Sequence, residues 1–406
     1  MSVVMKPSGV QWIGDIPEHW KIMRIKDIVD LKSGDSITSD NIAESGDYQV
    51  YGGNGLRGFT NGWTHEGEYA LIGRQGALCG NINYASGKFW ASEHAVVANP
   101  IKSLNTFWLG ELLRTMNLNQ YSNAAAQPGL SLDNIKYLYI PVPVYKEQQS
   151  IANFLDKATL QIDNAIKTKQ TQLETLATLK KSIIHKAVTK GLDDSVAMKD
   201  SGIEWIGEIP EHWKIVRVKD DLEFFTGKTP NTTNSEYYFG SNKWITISDL
   251  GEIYITDTKQ CISDEYIEES KIKIAPKGSL IFSFKLTVGT VAIIDEPMYT
   301  NEAIAIFTPN IKTNTKFLYY SFGLYLKENA KTNIYGAALM NRDIIKASKY
   351  LMPPKKEQEA IVDFLDREVE KINTLKSNVK NQINKLKEYR KSLIYEYVTG
   401  KKQVKV

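Results

Sequence analysis

The chain has 406 residues, of which 42% are hydrophobic and 10% aromatic, so it can form two or three domains with apolar cores. The formal net charge is only +3, so any nucleic-acid surface must be a local patch or be shared with a partner. Two cysteines, Cys79 and Cys261, without a CxxC pair exclude a disulfide scaffold and a cysteine-based zinc site.

The N-terminal segment shows no targeting signal. Residues 1–9 contain no apolar signal core, and the chain contains no run of about 18 apolar residues of the kind that spans a membrane. We therefore expect a protein of the reducing cytoplasm that has no membrane partner.

A motif near the start of the chain occurs twice, at Ser8–Ile22 (SGVQWIGDIPEHWKI) and at Ser201–Ile215 (SGIEWIGEIPEHWKI), with an offset of 193 residues. Its Gly and Pro residues predict tight turns, and its two Trp residues are large apolar anchors. We expect each copy to pack a domain onto a helix end. His19 and His212 have no second His or Cys at ligand spacing, so we interpret both as structural and predict no metal site.

Each motif is followed by a domain of mixed strands and helices. In the first domain, residues 24–145, short apolar runs between turn residues predict strands at Tyr69–Gly73, Ile82–Tyr84 and Ala95–Ala98, and helical spacing predicts a helix at Thr106–Asn117. In the second domain, residues 217–354, the same signals predict strands at Trp244–Ile247, Ser279–Ser283 and Val291–Ile294, and a helix at Lys316–Asn329.

Both domains end in prolines, as Pro-x-Pro at 141–143 and as Pro-Pro at 353–354. Between their shared ends the two domains differ strongly in sequence. A duplicated frame around different interiors is typical of two domains that do the same kind of job on different targets.

Two long predicted helices determine how the domains are arranged. They are predicted at Glu147–Thr189 and Glu357–Thr399, which repeat at an offset of 210 residues and begin with the pattern Glu-Gln-x-x-Ile-x-x-Phe-Leu-Asp. Apolar residues recur every seven positions, which predicts a coiled coil whose helices are each about 65 Å long. Lys169 and Lys180 interrupt the first seam. The predicted seam residues are Leu155, Ile162, Ile166, Leu173, Leu176, Ile183, Leu365, Ile372, Val379, Ile383, Leu386 and Leu393.

No candidate enzymatic motif in the sequence has all the residues and the context that its chemistry requires. The segment Gly227-Lys228-Thr229 resembles the end of a phosphate loop, but the glycine required five residues earlier is Leu222. No G-x-G-x-x-G dinucleotide fingerprint opens a predicted strand-to-helix turn, and nucleophile-elbow and metalloprotease motifs do not occur in the sequence. We therefore predict no catalytic residue.

The Trp-Ile-Gly-x-Ile-Pro-x-x-Trp opening, the proline exit and the Glu-Gln helix start occur twice in the same order. Across nearly the whole chain they resemble the specificity subunit (HsdS) of a type I restriction–modification enzyme. The resemblance implies that residues 1–146 and 191–356 are target recognition domains, each reading one half of a split double-stranded DNA site. Residues 147–190 and residues 357–406, the latter with a C-terminal tail, would be the spacer helices.

The resemblance also implies partners. Two modification subunits would methylate adenine with S-adenosylmethionine, and two restriction subunits would supply ATP- and Mg-dependent translocation and cleavage. These cofactors belong to the partners, and none is expected on this chain.

The topology follows from the helix length. Only 15 residues separate Thr189 from Trp205, so the second domain must start near the far end of the first helix. The second helix must then run back if the seams are to meet. The expected fold is α+β, with two mixed α/β recognition domains at opposite ends of a long antiparallel two-helix coiled coil and a pseudo-two-fold axis between them.

Base edges are read by Arg, Lys, Asn, Gln, Ser and Thr, so polar loops after predicted strands are candidate DNA contacts. In the first domain these are the Gly-rich segment 51–58 and the loop after Gly73. In the second domain they are the segments 229–234 and 283–287. The predicted DNA-binding residues are Asn54, Arg57, Arg74, Gln75, Lys88, Asn231, Thr232, Asn234, Ser283, Lys285 and Thr287.

Two other classes of function remain open. A duplicated coiled-coil adaptor without DNA contact explains the coil and the low charge, but it does not explain why two domains share edges and differ inside. An enzyme with its own nuclease or methyltransferase centre would need motifs that the sequence lacks.

Overall fold

The computed structural model describes residues 4–76, 78–122, 129–285, 287–332 and 338–404. They form two compact units. The first unit comprises residues 1–171 and 379–406, and the second comprises residues 172–378. Each unit therefore takes one half of each long helix. Leu286, which belongs to a predicted reading segment, lies outside the described residues.

The described residues of the first unit form ten strands. They are β1 Met5–Pro7, β2 Asp15–Pro17, β3 Lys21–Arg24, β4 Val29–Ser33, β5 Tyr48–Gly52, β6 Gly55–Thr60, β7 His65–Gly73, β8 Ile82–Ala91, β9 Ala95–Pro100 and β10 Tyr139–Val142. Six of these form one sheet in the order β4-β9-β7-β8-β5-β6, in which only β5 and β8 are parallel neighbours.

The central strands of this sheet are buried on both faces. Ile72 and Val96 face the main core, whereas Leu71 and Val97 face a second cluster with Phe89. This is why the sequence shows continuous apolar runs there and not an alternating pattern.

Fourteen strands are formed by the residues of the second unit that the structure describes. They are β11 Met198–Asp200, β12 Glu208–Pro210, β13 Lys214–Arg217, β14 Phe224–Thr226, β15 Asn242–Ile245, β16 Tyr254–Ile255, β17 Gln260–Ile262, β18 Leu280–Ser283, β19 Val291–Ile294, β20 Tyr299–Thr300, β21 Ile304–Phe307, β22 Lys331–Thr332, β23 Ala338–Leu339 and β24 Lys349–Met352.

The main sheet of the second unit repeats that of the first. Its order is β14-β21-β18-β19-β16, and β16 and β19 are again the parallel neighbours. The register agrees as well, since Gly73 pairs with Ala95 in one unit and Ser283 with Ile304 in the other. The expectation that only the frame of the domains is duplicated is therefore too narrow, because their interiors share a fold despite their different sequences.

The described residues also form eight α-helices. They are α1 Thr106–Thr115, α2 Leu132–Lys136, α3 Tyr145–Lys190, α4 Val218–Asp221, α5 Asp264–Ser270, α6 Thr315–Glu328, α7 Arg342–Ala347 and α8 Lys355–Val398. The predicted helices at 106–117 and 316–329 correspond to α1 and α6. Each is capped by an Asn side chain, Asn105 or Asn314, which accepts hydrogen bonds from backbone N–H groups of the first turn.

The long helices α3 and α8 are antiparallel. In the first unit Leu155 of α3 shares a core with Leu393 and Val398 near the end of α8. In the second unit Val188 near the end of α3 shares a core with Leu365 near the start of α8. All twelve predicted seam residues are buried or half-buried, as expected for a coiled-coil seam.

Polar residues also cross the helix pair. Arg390 of α8 donates to Asp163 of α3 at 3.0 Å, and Lys180 donates to Asn373 at 3.3 Å. Lys180 is half-buried, and both burial and the nearby charge of Lys376 lower its pKa. A seam lysine is therefore accommodated by an amide partner and by partial exposure.

The repeated opening motif packs on a long helix in both units. Trp20 is buried against the end of α8, where Tyr395 donates its hydroxyl hydrogen to the Trp12 carbonyl at 3.1 Å. In the second unit Trp213 lies in the core with Val188 of α3. His19 lies 3.0 Å from Glu147, and His212 lies 2.6 Å from Glu357. Both histidines therefore contact the first turn of a long helix.

Candidate nucleic-acid interface

Three connections of the first unit meet at one surface, which we call the first loop surface. They are the turn between β5 and β6, the loop after β7 and the turn between β8 and β9. Together they line a cleft of about 520 Å³. The lining residues are Gly53, Asn54, Arg57, Gln75, Gly76, His94 and Gly129. Three of the predicted DNA-binding residues, Asn54, Arg57 and Gln75, therefore face one another across this cleft.

Arg74 is fixed beside the cleft and lines an adjoining one with Gln75 and Asp133. Its backbone N–H donates to the His94 carbonyl at 2.9 Å, and its guanidinium donates to the Ser33 hydroxyl at 3.1 Å. The buried Cys79 thiol donates to the Arg74 carbonyl at 3.4 Å, and burial raises the pKa of this thiol. Cys79 is therefore a packing group and not a reactive one.

The glycines of segment 51–58 let parts of the protein approach one another. A Cβ on Gly73 would lie 2.1 Å from the Gly53 carbonyl oxygen, and a Cβ on Gly52 would lie 2.4 Å from Cδ of Arg57. The Gly53 carbonyl leaves no room for a side chain at position 73, whereas a side chain at position 52 would require the Arg57 side chain to move. Close packing within the loop surface thus accounts for Gly73.

Lys88 does not line the cleft. It pairs with Glu66 in the half of the β7–β8 hairpin away from the loop after Gly73, and its ammonium lies 4.8 Å from the ring centroid of Trp63. Sequence reasoning also missed His94, which lines the cleft between Gln75 and Arg57. A histidine directly before a buried strand carried no local signal for this position.

The second unit presents the equivalent connections, which we call the second loop surface. The loop after β18 carries Lys285 and Thr287, both exposed, and Lys285 Nζ lies 3.9 Å from a carboxylate oxygen of Glu302. Tyr238 donates its hydroxyl hydrogen to the Pro230 carbonyl at 2.9 Å. Burial and the charge of Glu302 both raise the pKa of Tyr238.

Some of the predicted DNA-binding residues of the second unit are exposed, whereas others already accept hydrogen bonds within their own loop. Thr232 is exposed, as are Lys285 and Thr287. Asn231 and Asn234 use their side-chain oxygens to accept backbone N–H groups of Thr233 and Glu236 at 3.1 Å, so they also shape the loop.

Ser283 requires a correction. It is fully buried, and its hydroxyl donates to the Lys285 carbonyl at 3.1 Å. It therefore holds the loop and presents no group to a base.

The described residues contain neither a candidate metal site nor a candidate membrane-spanning helix. No group of three His, Cys, Asp or Glu side chains there has metal-binding geometry. Within the same residues, no helix combines the length and apolar character that crossing a bilayer requires.

The comparisons with known proteins agree with this architecture. The family described as type I restriction modification DNA specificity domain matches the chain twice, over residues 17–175 and 210–385. The EcoprrI type I restriction enzyme specificity subunit of Escherichia coli is 43% identical over 135 residues, which are 32% of this chain and 34% of that protein. The alignment therefore spans about a third of that relative.

Two further likenesses cover nearly the whole chain. The putative type I restriction enzyme MjaX specificity subunit of Methanocaldococcus jannaschii is 25% identical over 97% of this chain and 96% of its own length. A chain solved in a study of complex assembly in the type I R-M system has a TM-score of 0.74 at 15% identity, covering 94% of this chain and 98% of its own. The second likeness concerns the fold alone. Since the family matches both halves of the repeat, the chain belongs to the type I restriction–modification specificity subunits.

Proposed function

We propose that the chain reads a bipartite, asymmetric DNA target, with one half-site bound at each loop surface. The observation that supports this most directly is the repeated sheet with unlike loops. The same strand order and register place Arg74 and Gln75 in one unit where Phe284 and Lys285 stand in the other. Different donors and acceptors on one scaffold suit two different base sequences. The target is then not a palindrome.

The paired helices α3 and α8 are proposed to set the spacing between the half-sites. The chain is further proposed to act without a catalytic centre of its own, as a scaffold for two modification and two restriction subunits. S-adenosylmethionine, ATP and Mg would be bound by those subunits. The cytoplasm, where the DNA and these partners occur, is the proposed location.

Half-site mapping tests this proposal. The chain is combined with modification subunits, and the methylated sites of Arg74→Ala are compared with those of the wild type. Arg74→Ala is expected to relax or weaken recognition of the first half-site only, since one good bidentate contact is worth about 1–3 kcal/mol of discrimination. Lys88→Ala removes a charge outside the cleft and is the matched control, expected to leave base preference unchanged.

Salt dependence separates DNA reading from an adaptor role. Phosphate contacts make affinity fall steeply as salt rises, so the wild-type complex should lose DNA binding between about 50 and 200 mM salt. An adaptor would show no sequence preference and no such loss. Equal weakening of both half-sites by Arg74→Ala would indicate a folding defect, which hydrogen exchange of the first unit detects.

A further inference from the structure

The two loop surfaces share one turn that the sequence comparison did not reveal. In the first unit it is Ser92–Ala95, between β8 and β9, and in the second it is Asn301–Ile304, between β20 and β21. The backbone N–H of the fourth residue donates to the carbonyl of the first, and the N···O distance is 2.9 Å for Ala95 and 3.4 Å for Ile304. Sheet register makes the turns equivalent, because Ala95 pairs with Gly73 and Ile304 with Ser283.

Both turns are fixed by the same two additional hydrogen bonds. The first residue accepts, through its side-chain oxygen, the N–H of the third residue, at 3.3 Å for Ser92 and 3.1 Å for Asn301. The carbonyl of the third residue accepts the first N–H of the reading loop, from Arg74 at 2.9 Å and from Phe284 at 3.1 Å. A backbone hydrogen bond therefore joins the turn to the loop after the central strand in both units.

The second residue of each turn is a glutamate, Glu93 or Glu302. Glu93 is half-buried, and one carboxylate oxygen lies 3.2 Å from His94 Nε2. Its other oxygen is buried and accepts no hydrogen bond from the described residues. Glu302 is exposed beside Lys285. The Glu93 oxygen beside His94 and the exposed carboxylate of Glu302 therefore place an acceptor at the same position of each surface.

A carboxylate is repelled by phosphate, so this position is unsuited to backbone contact. Its chemical complement on a duplex is an exocyclic amino group in the major groove, and Glu is suited to accept from cytosine N4. Resting on the proposed function, we propose that Glu93 and Glu302 are matched specificity-determining residues, each accepting a hydrogen bond from a cytosine amino group in its own half-site.

The test uses the intact complex with modification subunits and a library of targets randomised one base pair at a time. Glu93→Gln is expected to lower the preference for cytosine at one position of the first half-site about tenfold and to leave the second half-site unchanged. Glu302→Gln should show the reverse. The controls are Glu68→Gln on β7 and Glu268→Gln on α5, two exposed carboxylates that line neither loop surface.

The outcomes separate three cases. Unchanged base preference in Glu93→Gln and Glu302→Gln, with the wild type still selective, overturns the role of the glutamates and leaves the proposed function standing. Uniform loss of affinity at all bases assigns the glutamates to loop structure and also overturns it. A wild-type complex that selects no DNA sequence instead contradicts the proposed function itself.

Discussion

The side-chain oxygen of Gln148 accepts a hydrogen bond from the backbone N–H of Asn105 at 3.0 Å, and its amide group donates to the Pro143 carbonyl at 3.0 Å. One buried side chain thereby joins the start of α3, the proline exit and the cap of α1. Gln358 repeats the arrangement with Asn314 at 2.8 Å and Pro353 at 2.9 Å. This explains the invariant spacing of glutamine and proline in the two copies of the repeat.

Replacing Gln148 by Ala should destabilise the first unit by about 1–3 kcal/mol, because the Asn105 N–H and the Pro143 carbonyl lose their partner in a buried place. Amide hydrogen exchange of the two units is the measurement, since it reports each unit separately. Gln149→Ala, at an exposed neighbouring position, is the control and should have little effect. A loss of protection no greater than that of Gln149→Ala would contradict the structural role of Gln148.

The helix seam gives a second prediction. Leu155 is fully buried, whereas Leu160 on the same helix is 59% exposed. Leu155→Ala should destabilise the first unit by about 2–5 kcal/mol through lost burial and a residual cavity, whereas Leu160→Ala should change stability by only about 0.5 kcal/mol. Leu365→Ala and Leu375→Ala form the corresponding pair of variants in α8, since Leu365 is fully buried and Leu375 is 50% exposed. Denaturant titration of the four variants should rank them by burial, and a similar cost for all four would argue against a packed seam.

Acid should destabilise the first unit through His65. Its ring stacks on Phe89 at 5.5 Å, and this partial burial lowers the pKa of His65 despite the opposing charge of Asp35. In the window between the lowered pKa and the ordinary value of about 6.5, the unfolded chain binds more protons than the folded one. Stability therefore rises with pH through that window and falls on acidification.

Urea titration between about pH 5 and pH 8 measures this dependence. His65→Phe keeps an aromatic ring but cannot be protonated, so its stability should vary less with pH than that of the wild type. Tyr69→Phe changes the same aromatic cluster without altering a group that titrates in this range, and it should keep the wild-type slope. An equal slope in the wild type and His65→Phe would assign the acid sensitivity to other groups.

Sequence reasoning identified the parts of the fold that are encoded locally. The seven-residue repeat identified the long helices. The Trp motifs repeat nearly unchanged because they pack on those helices, and the Glu-Gln motifs because they form the helix starts. The equivalence of the two sheets was missed, since it depends on strand order and register between segments far apart in the chain. Isolated identities, such as Gly34 with Gly227 at an offset of 193 residues and Glu93 with Glu302 at an offset of 209, are all that the sequence preserves of it.

The candidate site was predicted only in part for the same reason. Arg74 and Gln75 could be selected because they follow a strand of recognisable apolar character. Ser283 was selected by the same rule and is buried, since the last residue of a strand can still point into the core. His94 and Glu93 lie in a short turn whose importance comes from hydrogen bonds to Arg74, which no local pattern indicates.

The last prediction concerns the spacing of the half-sites. Inserting three heptads into both long helices, after Thr171 and after Asn378, should keep the apolar seam in register because the added length is a multiple of seven. The 21 added residues lengthen each helix by about 32 Å, close to one turn of B-DNA, so groove alignment is also approximately kept. The methylated sites should then keep both half-sites and gain about 10 base pairs of spacer.

A three-residue insertion at the same two points is the matched control. It breaks the heptad pattern, so it should weaken helix pairing and reduce methylation without creating a new regular spacer. Genome-wide methylation mapping distinguishes these outcomes. If the complex with the lengthened helices methylates sites that have the original spacer, the partner subunits and not α3 and α8 set the separation of the half-sites. That result would leave the proposal that the two loop surfaces read the half-sites unaffected.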